Sequence, residues 1–71
     1  MNVKKHNINR FSTNLYQLMK ERKVTKESLA DELDVSTRAV YFWQSGQRCP
    51  SYDQLIKIAK ILSTSIDGLL I

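Results

Sequence analysis

Seventy-one residues with 42% apolar side chains allow one folded domain with one modest core and argue against a disordered chain. A single Cys and a single His exclude an internal disulfide and a cysteine metal cluster, and leave little from which to build a His-based catalytic or metal site. A net charge of +4 and a sequence pI of 9.5 favour a polyanionic partner without demanding one. No apolar run approaches the roughly 18 residues of a membrane span. Lys4 and Lys5 have no apolar segment behind them, so no signal peptide and no membrane partner are expected. The cytoplasm is the default compartment.

Residues 1–9 are polar and basic with little periodicity. They read as a mobile arm, either touching a polyanionic partner or simply solvated. The first helix is expected from about Arg10 to Lys23, with Phe11, Leu15, Leu18 and Met19 as its inward stripe. The cations in residues 20–23 suit a helix C-terminus. Thr25 is the expected N-cap of a second helix, whose Leu29, Ala30 and Leu33 form an apolar face. Asp34 tolerates a left-handed backbone and can make a sharp turn. Val35 plugs the corner, and Ser36 caps the next helix.

That third helix is expected from about Thr37 to Gln44. At about 100° per residue, Ala39, Val40 and Trp43 share one side. Thr37, Arg38, Tyr41, Phe42 and Ser45 share the other, so two adjacent aromatics and a charge face away from the core. Gly46 suits a left-handed C-cap, and Pro50 cannot continue a helix. Cys49, with no acid or base beside it in sequence, reads as a small loop residue. Ser51 and Gln54 form a capping box for a fourth helix with Leu55, Ile58, Ala59 and Leu62 inward. Ser65 caps a short last helix from Ile66 to about Leu70. Its apolar end can pack on the domain or form a two-fold contact through Ile66, Leu69 and Leu70.

The stretch from 26 to 45 resembles a DNA-binding helix-turn-helix of the Cro and lambda-repressor type. The residues that carry the resemblance are Ala30, the turn Leu33–Asp34–Val35–Ser36, Val40 and Trp43, then Gly46, Pro50 and Ser51. The likeness covers about residues 11–70. It implies an all-α, compact five-helix domain over residues 10–71. Three departures stand out. The turn glycine is Asp34, and the Arg and Glu that pair in many relatives fall on Met19 and Gln44. Both partners are changed together, so no buried charge is left alone.

The resemblance implies base contacts from Thr37 and Arg38, with Tyr41 and Phe42 beside them. Arg can hold guanine O6 and N7 with two bonds, and Phe42 can meet a thymine methyl. Phosphate contacts are expected from Thr25, Lys26, Ser36, Ser45, Gln47 and Arg48. The expected partner is double-stranded DNA, bound as a homodimer, and the expected role is transcriptional regulation, with repression favoured. No cofactor, metal site or catalytic residue is expected. No His or Cys lies where it can activate a nucleophile, and there is no glycine-rich phosphate loop. The alternative is a protein-interaction module, an antitoxin or adaptor, that uses Tyr41 and Phe42 as anchors.

Overall fold

The computed structural model describes the backbone from Val3 to Ile71 and the side chains from Arg10 onward. Five α-helices follow in order: α1 (Val3–Arg22), α2 (Lys26–Leu33), α3 (Thr37–Ser45), α4 (Tyr52–Ile61) and α5 (Ile66–Leu70). Helix α1 begins well before the expected Arg10. Neither Gly nor Pro interrupts that segment, so it carries no strong helix breaker. The side chains of the basic arm, residues 1–9, lie outside the described residues.

Serine and threonine caps open four of the helices. The side chains of Thr25, Ser36, Ser51 and Ser65 accept from the backbone N–H groups of Ser28, Ala39, Gln54 and Gly68. The capping box at Ser51 is complete, since Gln54 Oε1 accepts from the Ser51 N–H at 2.8 Å. One closure ends α1 to α4, in which an N–H reaches back five residues: Val24 to Met19, Val35 to Ala30, Gln47 to Phe42 and Thr64 to Ala59. The residue before each of these donors is left-handed: Lys23, Asp34, Gly46 and Ser63. That conformation suits only Gly46 without steric cost.

The core gathers Phe11, Leu15 and Met19 of α1, Leu29, Ala30 and Leu33 of α2, and Val40 and Trp43 of α3. Ile58 and Ala59 of α4, with Leu62 and Leu69, complete it. Helix α1 packs on α3 and α5, α2 on α3 and α4, and α4 on α5. Among the described residues, three side chains of α1 bond to backbone carbonyls elsewhere in the domain. Ser12 Oγ donates to the Trp43 carbonyl at 3.0 Å, Asn14 Nδ2 to the Leu69 carbonyl at 3.0 Å, and Arg22 Nε to the Leu62 carbonyl at 2.9 Å. Gln44 Nε2 lies 3.2 Å from Met19 Sδ, so the two positions that depart from the family pattern do meet. Among the described residues no helix is long and apolar enough to cross a membrane.

Candidate nucleic-acid interface

Helix α3 is presented outward because its other side is fully used. Val40 and Trp43 are buried, and the Ser12 bond fixes the Trp43 carbonyl from α1. The turn before α3 is equally determined. Asp34 takes φ 57 and ψ 45, and its N–H reaches the Ala30 and Asp31 carbonyls. Ser36 then starts α3 by capping Ala39. What remains exposed on α3 is the adjacent pair Thr37 and Arg38, then Tyr41 and Ser45, each about one turn further on.

A groove runs along each flank of this face. One, of about 320 Å³, is lined by Ser36, Arg38, Phe42, Arg48, Cys49 and Gln54 among others. The other, of about 280 Å³, is lined by Tyr16, Met19, Lys20, Thr25, Lys26 and Gln44 among others. Each groove carries two cations. Among the described residues the only ion pair is Arg22 with Glu21, at 3.9 Å and exposed. Lys20, Lys26, Arg38 and Arg48 form no ion pair within 4 Å with a described carboxylate, although Glu27 lines the second groove beside Lys26.

Most of the expected contact residues are on the surface of the domain. Thr37, Arg38 and Tyr41 are exposed on the front of α3, and Thr25, Ser36, Ser45, Gln47 and Arg48 are exposed around it. Lys26 is half-buried, lying in the second groove. Phe42 departs from the outward expectation. It is half-buried at the edge of the first groove. The Arg38 and Arg48 guanidinium carbons lie 5.8 and 5.4 Å from its ring centroid. Its ring also sits 5.9 Å from that of Tyr41, tilted by 53°.

The C-terminal set needs one correction. Leu69 is 0% exposed and belongs to the core of its own domain, so it is not a subunit contact. The helix is only five residues long, and packing Leu69 inward is what holds it down. Ile66 is half-buried, and Leu70 and Ile71 remain on the surface at 38% and 78% exposure.

Sequence reasoning missed two residues of the second groove, Tyr16 and Lys20. Lys20 Nζ lies 5.5 Å from the Tyr16 ring centroid. Their i, i+4 spacing signals a shared face, but the run of cations at the end of α1 reads first as charge complementary to the helix dipole.

Comparison with known proteins agrees with this geometry. The helix-turn-helix family model matches residues 15–69. An uncharacterized HTH-type transcriptional regulator, YqaE of Bacillus subtilis (strain 168), is 40% identical over 60 residues, which span 84% of this chain and 52% of that protein. The HTH-type transcriptional activator BcrR of Enterococcus faecalis is also 40% identical over 60 residues, spanning 84% of this chain and 29% of that protein. The chain thus spans about half or less of the length of these curated relatives. No solved structure matches it. With five helices, a capped left-handed turn between α2 and α3, and this match over most of its length, the chain belongs to the Cro/lambda-repressor-type helix-turn-helix family.

Proposed function

We propose that this chain is a sequence-specific, double-stranded DNA-binding transcriptional regulator that places α3 in the major groove. The observation that carries the reading is the exposed Thr37–Arg38–Tyr41 face, with Arg38 and Arg48 in one flanking groove and Lys20 and Lys26 in the other, none of them in an ion pair among the described residues. Thr37 and Arg38 read base edges and Tyr41 reaches a base or phosphate. Thr25, Lys26, Ser36, Ser45, Gln47 and Arg48 hold the backbone, which fixes register without reading sequence. The family supports a non-enzymatic role, and a regulator of this kind works in the cytoplasm. Residues 10–71 form the binding domain, and the basic residues 1–9, of which 3–9 begin α1, extend it at the N-terminal side.

The chain binds as a homodimer on an inverted repeat with half-site centres about one helical turn apart. One small domain offers few contacts, and exposed Leu70 and Ile71 with half-buried Ile66 supply an apolar edge for the second copy. Repression is the proposed outcome, since occupancy of a promoter site needs no surface beyond this interface. Selection of bound sites from a random DNA pool at near-physiological salt tests the reading. A palindromic consensus supports it. A pool that gains no sequence preference refutes it.

A second reading, a protein-interaction module, draws on Tyr41, which is 50% exposed beside the Phe42 ring. Salt separates the two. Binding to DNA weakens steeply as salt rises, whereas an aromatic contact with a protein does not.

A further inference from the structure

We propose that the Phe42 ring is a positioning platform that holds both Arg38 and Arg48 and so couples base reading to phosphate binding. The proposal rests on the DNA-binding reading above. Arg38 and Phe42 are one helical turn apart on α3, so their side chains meet along the helix. Arg48 arrives from the loop after α3, and the backbone fixes its approach. The Phe42 carbonyl accepts from the Gln47 N–H at 3.0 Å and the Arg48 N–H at 3.3 Å, and from Ser45 Oγ at 3.2 Å. The loop is thereby tied to the same residue whose ring its cation approaches.

Both guanidinium carbons lie within the roughly 6 Å over which an aromatic face attracts a cation. A free arginine side chain samples many rotamers, and a held guanidinium loses less on forming its bonds. The ring supplies that hold for both residues at once. Two like charges gathered on one ring also repel each other, and among the described residues no carboxylate pairs with either. A DNA phosphate entering the groove beside Arg48 relieves that repulsion and leaves Arg38 set for the bases. Two guanidiniums already crowd the ring, which leaves it poorly placed to read a thymine methyl itself.

The test uses the full chain and the DNA site selected from the random pool. In the free protein, the Arg38 and Arg48 Nε–Hε resonances should carry ring-current shifts that vanish in Phe42→Leu and persist in Phe42→Tyr. On DNA, Phe42→Leu should lose about fivefold or more discrimination at the base pair that Arg38 reads. Its salt slope should fall by about one unit per half-site. Phe42→Tyr should keep both. In the wild-type background, Arg38→Ala and Arg48→Ala should be non-additive, because the two residues share a platform. This cycle needs no folded Phe42 variant.

Additive losses in that cycle overturn the proposal. So does a Phe42→Leu variant that loses only the preference for thymine over deoxyuridine while its salt slope and the Arg38 base pair are unchanged. If the ring-current shifts are present but the chain shows no salt-dependent DNA binding, the DNA reading has failed and the proposal falls with it. If binding is normal but the shifts are absent, only the platform has failed.

Discussion

Leu69→Ala separates a core residue from a subunit contact. The side chain is 0% exposed and sits in the core cluster with residues of α1 and α4. Helix α5 has five residues, too few to persist without packing. Besides Leu69 itself, the Asn14 bond to the Leu69 carbonyl links it to α1. Truncating a buried Leu to Ala costs about 3–5 kcal/mol, from lost transfer energy plus the cavity left behind. At about 0.05–0.15 kcal/mol per residue, a domain of this length has only about 4–11 kcal/mol in all. For a domain of 60–100 residues each kcal/mol moves Tm by about 4–8 °C, so even a loss of about 3 kcal/mol lowers Tm by about 12–24 °C. Thermal unfolding followed by circular dichroism at two well-separated protein concentrations is the assay. The drop should be the same at both. A Leu69→Ala chain with unchanged Tm at the lower concentration but weakened self-association would refute the burial argument. Leu70→Ala is the control, expected to shift monomer stability by less than about 0.5 kcal/mol while weakening dimeric binding to DNA.

Asp34→Gly and Ser63→Gly should each raise stability by about 0.5–1 kcal/mol in urea unfolding, because each removes a side chain from a left-handed position. Met19→Arg alone should destabilise, since it puts a charge on a buried position. Met19→Arg combined with Gln44→Glu should recover much of that stability, and a double-mutant cycle should read a coupling of about 1–3 kcal/mol. Gly68→Ala should destabilise even though Ala is the better helix former. Its Cβ would run into Thr64 Oγ1, so the companion change Thr64→Ala should restore stability in the same unfolding assay.

The parts of the fold that local chemistry determines were legible in the sequence. Thr25, Ser36, Ser51 and Ser65 cap as their residue types and spacing indicate, and Asp34 and Gly46 take the left-handed turns expected of them. The inward stripes of α2, α3 and α4 follow from helical periodicity, as does the stripe of α1 from Phe11 onward. The Met19 and Gln44 contact follows from reading two departures from the family pattern together. Other features depend on partners distant in sequence or on weak local signals. Nothing in residues 3–9 marks a helix start, so α1 begins earlier than periodicity suggests. Leu69, Leu70 and Ile71 are equally apolar, and only packing on α1 and α4 selects Leu69 for the core. Phe42 turns to the flank of α3 beside the loop that delivers Arg48. Tyr16 and Lys20 join Lys26 only because the end of α1 and the start of α2 line one groove.

If α3 reads sequence while its rim holds backbone, Arg38→Ala and Lys26→Ala must differ when compared on selected and random DNA. Arg38→Ala should cost about 1–3 kcal/mol on the best site, flatten preference at one base pair per half-site and change random binding little. Thr37→Ala should do the same more weakly, since a hydroxyl offers one bond and not a fork. Lys26→Ala should weaken selected and random DNA alike. It should also lower the salt slope by about two units in a dimer, one for each phosphate no longer neutralised. Equal ratios of specific to random weakening for Arg38→Ala and Lys26→Ala would contradict this division of roles. Helix α3 would then not lie in the groove, and Tyr41 and Phe42 would belong to a protein interface.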